Sequence, residues 1–168
     1  AIPIYAAAHT LLGDKQRAVS VMQWWALVPA FLMFAPTWNT LYPLLVTASF
    51  ALLIAGLKTR RVALRAVLAG LLMSVATFLN FSVLPALLLF GLVTLGYWVI
   101  VARHEDDTPS FLFPVMTGVW FGVGLLSIWA VYWLYSGLTP LDLWVETFGA
   151  HTELVQRDYL PWLFLHPY

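Results

Sequence analysis

Val83 to Ala102 reads VLPALLLFGLVTLGYWVIVA, twenty residues without a single charge. At 1.5 Å per residue a helix of this length covers about 30 Å, the thickness of a bilayer's hydrocarbon core. The apolar run is continuous. A barrel strand would instead show about ten residues of alternating polarity. Backbone polar groups in lipid must be satisfied within the segment, which leaves the helix. The stretch sets the expectation for the whole chain: an all-α, polytopic transmembrane helical bundle.

Working towards the N-terminus, Asn80-Phe81-Ser82 reads as a tight polar turn, preceded by an apolar span over Val62 to Leu79. Lys58, Arg60, Arg61 and Arg65 mark a basic loop, before which Leu41 to Leu57 forms another span. Thr37-Trp38-Asn39-Thr40 is a short uncharged turn after a span over Ala18 to Ala35. Asp14-Lys15-Gln16-Arg17 is a polar turn, and Ala1 to Leu12 is apolar but too short to cross alone. With no Met at its start, that half-segment reads as the end of a helix begun earlier, and the chain as a fragment. Towards the C-terminus, Arg103-His104-Glu105-Asp106-Asp107 reads as a solvated loop. Phe111 to Tyr135 is the longest span, ended by Ser136-Gly137-Leu138-Thr139-Pro140. The expectation is about five full spans plus a partial one. Residues 1–137 form the bundle, and 138–168 an extracytoplasmic, membrane-proximal amphipathic segment.

Composition agrees. Of 168 residues, 62% are hydrophobic and 10% charged, where a soluble domain carries about 25% charged residues. Eight basic and eight acidic residues cancel, so no field recruits nucleic acid. Without Cys there is no disulfide framework, thiolate metal site or Cys nucleophile. Orientation follows from Lys15, Arg17, Lys58, Arg60, Arg61, Arg65 and Arg103, seven of the eight basic residues, which all fall on one side of the expected spans. The positive-inside rule makes that side cytoplasmic in a bacterial-type plasma membrane and the tail extracytoplasmic.

The tail holds most candidates for chemistry. Trp144, Phe148, His151 and Val155 share one helical face by spacing. Arg157 is the lone basic residue on its side, suited to a phosphate oxygen. His151 is a candidate hydrogen-bond donor or proton-exchanging residue, and Tyr159 and Trp162 offer ring surface to a sugar or a lipid chain. The plainer account is an interfacial helix anchored by Trp144, Tyr159 and Trp162. Asn39 and Asn80 are turn residues first, and candidates to line one polar pocket because both turns face the tail's compartment. His151 and His166, with Glu153 and Asp158, match no compact metal motif, so no metal or cofactor is expected. Trp24, Trp25 and Trp129 read as belt and packing residues, and Gln23 as a helix–helix hydrogen-bonding residue. Gly118, Gly122 and Gly124 form a small-residue strip, explained by close helix packing.

Leu12-Gly13, the basic turn after it, and the run through Leu27-Val28-Pro29-Ala30 to Pro36-Thr37-Trp38-Asn39-Thr40-Leu41-Tyr42 resemble the bacterial polytopic GT-C glycosyltransferases. These include the protein mannosyltransferases and the aminoarabinose transferase. The likeness continues through Leu68-Ala69-Gly70-Leu71-Leu72-Met73-Ser74-Val75-Ala76-Thr77-Phe78 and Asn80-Phe81-Ser82-Val83-Leu84-Pro85-Ala86-Leu87-Leu88. The tail, from His151 to Trp162, is similar to a membrane-proximal extracytoplasmic segment of that family. The resemblance implies transfer of a sugar from a polyprenyl-phosphate donor on the outer face, by inverting displacement. Its general base would be a carboxylate in the family's first extracytoplasmic loop, ahead of this chain. Donor phosphate falls to Arg157, polar contacts to His151 and Tyr159, sugar or lipid to Trp162, with Asn39 and Asn80 in the pocket. Asn39 stands where relatives carry an acidic residue, and no basic residue stands near Asn80 where they carry one. The alternative these departures imply is a non-catalytic subunit that packs against other membrane proteins. Membrane lipid is a partner in either case.

Overall fold

The computed structural model describes residues 2–26, 41–59, 61–100 and 111–154, apart from the side chains of Ala26 and residues 151–154. Helices α1 (Ile2–Leu12) and α2 (Lys15–Ala26) are followed by α3 (Leu41–Thr59) and α4 (Val62–Leu79). A single 3-10 turn, Phe81–Val83, leads into α5 (Pro85–Ile100), then α6 (Leu112–Ser136) and α7 (Pro140–Leu154). No strand occurs among the described residues. Leu41–Thr59, Val62–Leu79, Phe81–Ile100 and Leu112–Ser136 are each long and apolar enough to cross a membrane. The expected span over Ala18 to Ala35 lies only partly within the described residues. Its helix starts earlier than expected, at Lys15, because Asp14 caps it. Asp14 Oδ1 accepts from the backbone amides of Gln16 at 2.7 Å and Arg17 at 3.3 Å, so the polar turn becomes the helix's first turn.

Two compact units divide the chain, Ala1–Val131 and Tyr132–Tyr168. In the first, α3 and α4 form a hairpin, and α1 packs on both α2 and α3. Helix α4 is the most enclosed: 39% of it is buried, against 11% of Phe81–Ile100. Its Ala66, Ala69, Met73 and Ala76 meet Leu53 of α3 and Phe90 of α5 in one core. Alanines on this face let α3 approach until Ser49 Oγ donates to the Ala69 carbonyl at 2.7 Å. Phe90 then bridges outward, its ring centroid 5.5 Å from Phe50 of α3 and 5.9 Å from Phe121 of α6.

Helices α4 and α6 cross at Gly70 and Gly124. A Cβ on Gly70 would collide with the Phe121 carbonyl and the Leu125 amide, and one on Gly124 with the Val67 carbonyl and the Leu71 amide. This is small-residue packing of the kind lipid-embedded helices use. Gly118 and Gly122, expected to serve the same contact, meet no atom within 4 Å at their Cβ positions. A 3.6-residue period sets Gly118 and Gly122 on a different face of α6 from Gly124, which alone of the three points at α4. One helical turn from Gly70, Ser74 continues the small-residue face of α4, with its Oγ fully buried and without a partner among the described residues. A turn further on, Thr77 Oγ1 donates to the Ser74 carbonyl at 3.0 Å and accepts from Trp129 Nε1 of α6 at 3.1 Å. Trp129 is thus a buried tie between helices. Gln23, expected to bridge helices, is exposed with no hydrogen-bond partner among the described residues.

The basic turns have structural work. Lys58 Nζ donates to the Thr10 and Leu11 carbonyls that end α1. Arg65 reaches back from α4 to the end of α3, bonding the Ala55 carbonyl at 2.5 Å and Thr59 Oγ1 at 2.6 Å. Gly56 leaves it room, since a Cβ there would lie 3.1 Å from Arg65 Cβ. Cations at the carbonyl ends of helices also meet the negative pole of the helix dipole. These bonds bring the α1–α2 and α3–α4 turns to one end of the unit.

In the second unit, Gly137 ends α6 at φ +73°, donating its amide to the Trp133 carbonyl at 2.8 Å. Helix α7 opens on a reciprocal cap. Thr139 donates to Asp142 Oδ2 from its amide at 2.8 Å and its hydroxyl at 2.6 Å, while the Asp142 amide donates back at 3.2 Å. Pro140 at the first helical position costs no hydrogen bond.

Candidate functional site

The hairpin decides where polar groups converge. The α3–α4 turn lies near residue 60, so the start of α3 and the end of α4 come together at the end away from Lys58 and Arg65. A cavity of about 570 Å³ opens there, lined by Trp25 of α2, Tyr42, Pro43, Val46 and Thr47 of α3, Asn80, Ser82 and Val83 of the turn, and Ala86 of α5.

Asn80 is built into this cavity by its backbone. It stops α4 in an extended conformation, φ −158° and ψ 116°, while its amide still closes the last turn onto the Ala76 carbonyl at 2.9 Å. Its Oδ1 accepts from the Ser82 amide at 2.9 Å and starts the 3-10 turn. One end of the carboxamide is therefore fixed, and its Nδ2 has no acceptor among the described residues. Tyr42 is half-buried, and its hydroxyl has no described partner. Thr47 Oγ1 is already engaged by the Pro43 carbonyl at 2.7 Å. The cavity is therefore lined by the rings of Trp25 and Tyr42, one oriented carboxamide, and the hydroxyls of Tyr42 and Ser82. Among the described residues no charged side chain lines it. That set suits a neutral, hydroxyl-bearing ligand with an apolar face.

A second cavity, of about 400 Å³, lies among α3, α5 and α6 and is lined by Leu53, Phe90, Gly91, Phe121 and Gly122 among others. Its two hydroxyls are engaged within their own helices, Thr94 to the Phe90 carbonyl at 2.9 Å and Thr117 to the Phe113 carbonyl at 2.8 Å. This groove offers hydrocarbon surface and no directed polar group.

Of the sequence candidates, Asn80 lines the polar cavity. Asn39, Arg157, Tyr159 and Trp162 lie outside the described residues. His151 falls in the last turn of α7, with its side chain outside them. Trp144 and Phe148 stack on α7 with centroids 5.7 Å apart and planes at 23°, as their spacing of four implies. Asp142, on the exposed surface of this helix, has its carboxyl held below the usual aspartate value, first by the Thr139 hydroxyl and then by the Thr139 amide.

Sequence reasoning missed Trp25 and Tyr42 as cavity residues. Trp24 and Trp25 read alike as belt residues, yet Trp24 is 73% exposed while Trp25 lines the cavity. The available signal was hairpin register. Folding the hairpin at its turn brings Tyr42, near the start of α3, to the same end as Asn80, which follows α4. Comparison with protein-family models, curated proteins and solved structures finds no match to the chain.

Proposed function

We propose that the chain is part of an integral-membrane glycosyltransferase that takes a sugar from a polyprenyl-phosphate donor on the extracytoplasmic face. The observation that carries the reading is the cavity at Asn80. The Tyr42 ring suits the apolar side of a sugar, and Asn80 Nδ2, with no acceptor among the described residues, donates to its hydroxyls. The cavity sits at the end opposite Lys58 and Arg65, which is the extracytoplasmic end if the basic turns face the cytoplasm. From the sequence alone, Arg157 is the proposed contact for the donor phosphate, and His151, Tyr159, Trp162 and Asn39 are proposed substrate contacts. The proposed general base is a carboxylate elsewhere in the protein.

One observation favours the second reading, a non-catalytic subunit. Helix α5 leaves Leu88, Leu92 and Ile100 at least 67% exposed, a broad face for a partner helix as well as for lipid. Mass spectrometry of lipids and proteins that co-purify in mild detergent separates the two. A stoichiometric polyprenyl-phosphate, lost in Arg157→Ala, supports the transferase. Bulk phospholipid with a second protein at fixed ratio supports the subunit.

A further inference from the structure

We infer that the end of the bundle formed by the α1–α2 and α3–α4 turns binds the headgroup of an anionic phospholipid through Lys15 and Arg61. The inference stands whether or not the chain belongs to a transferase.

Five basic residues gather at this end, Lys15, Arg17, Lys58, Arg61 and Arg65, against one acidic residue among the described ones, Asp14. They divide by what they already touch. Lys58 is engaged by the last carbonyls of α1, and Arg65 by the last turn of α3. Arg17 pairs with Asp14 at 3.5 Å. Lys15 and Arg61 are exposed and have no partner among the described residues. The Lys58 bonds hold their two turns side by side: Lys15 follows Leu11 by four residues, and Arg61 follows Lys58 by three. Asp14, the one described carboxylate nearby, is committed to the α2 cap and to Arg17, so no described carboxylate neutralises this pair.

The surroundings choose the anion's source. Leu11, Leu12 and Leu64 beside the two charges are 47%, 49% and 69% exposed. Leucines so exposed on a membrane-spanning unit sit in hydrocarbon, which puts the adjacent cations at headgroup depth. A lipid phosphate meets both surfaces at once, whereas a free phosphate meets only the cations. Juxtamembrane basic clusters attract anionic lipid in this way.

The test uses the whole chain in neutral detergent, with native mass spectrometry counting bound phosphatidylglycerol against phosphatidylcholine at equal concentration. Phosphatidylglycerol is expected to be retained preferentially, and the preference to fall as salt is added. The pair Lys15→Gln and Arg61→Gln is expected to lower phosphatidylglycerol affinity about 10- to 30-fold with the melting temperature unchanged. Lys58→Gln is expected to lower the melting temperature while the lipid preference persists. Equal retention of the two lipids, a salt-independent preference, an unaffected double variant, or displacement of the lipid by millimolar inorganic phosphate would each overturn the assignment. The salt series on the native chain decides the matter even if a variant fails to fold.

Discussion

Gly70 of α4 and Gly124 of α6 lie across from one another so closely that each occupies the place where the other helix's backbone passes. Neither tolerates a Cβ without moving a main chain. Gly118 and Gly122, on the same helix as Gly124, have open space around theirs. Gly70→Ala and Gly124→Ala should each destabilise the protein by about 1–3 kcal/mol through overpacking. Gly118→Ala and Gly122→Ala should be neutral or slightly stabilising, since Ala is the better helix former. Thermal unfolding in detergent checks the contrast, and equal effects at all four positions would refute the assigned crossing.

Trp129 and Thr77 join the same two helices by one buried hydrogen bond of 3.1 Å. Interhelical bonds of this kind contribute roughly 0.6–1.7 kcal/mol in membrane proteins. A double-mutant cycle with Thr77→Val and Trp129→Phe should recover a coupling energy in that range. Additive effects would mean that the bond contributes nothing.

Ser74 carries a buried hydroxyl with no partner among the described residues. It occupies a place where size matters, four residues from Gly70 on the crossing face. Ser74→Ala keeps the side chain small and removes the orphan, so it should raise the melting temperature. Ser74→Leu should lower it by overfilling the crossing. A loss of stability in Ser74→Ala would show that the hydroxyl is satisfied in solution.

Asp142 is held below the ordinary carboxylate value by its two bonds from Thr139. Its folded value is depressed, so the cap is fully formed above the unfolded value, about 3.9, and is lost as pH falls through the lower folded value. Amide hydrogen exchange in the first turn of α7 should be protected equally at pH 7 and pH 5, and protection should fall below about pH 4. In Asp142→Ala that acid-dependent step should vanish.

The helical class and the four long spans were legible because hydropathy runs report directly on helix length in lipid. The α7 cap was missed: Ser136 to Pro140 reads as the end of a span, although Thr139-Pro140-Leu141-Asp142 carries the capping pattern. The crossing glycines were not fully legible. Gly118, Gly122 and Gly124 lie close in sequence, and a stripe alone does not say which member faces a neighbour. Nor were the roles of Lys58 and Arg65. Positive-inside patterning explains why they are basic, while their carbonyl partners at Thr10 and Ala55 come from tertiary contacts. In the cavity, Asn80 was visible as a polar turn residue. Trp25 and Tyr42 looked like any interfacial aromatic: the pairing of α3 with α4 places Tyr42, and only the packing of α2 turns Trp25 rather than Trp24 to the cavity.

The most direct test of the central claim is a binding titration of a polyprenyl-phosphate monosaccharide, and of the same lipid without its sugar, on the native protein and on Asn80→Ala and Tyr42→Ala. The account predicts tighter binding of the sugar-bearing lipid. It also predicts about tenfold loss of that preference in Asn80→Ala, the worth of one hydrogen bond near 1.4 kcal/mol, and a loss in Tyr42→Ala, with the sugar-free lipid unaffected in both. Equal binding of the two lipids, or variants that weaken both alike, would contradict a sugar site at this cavity.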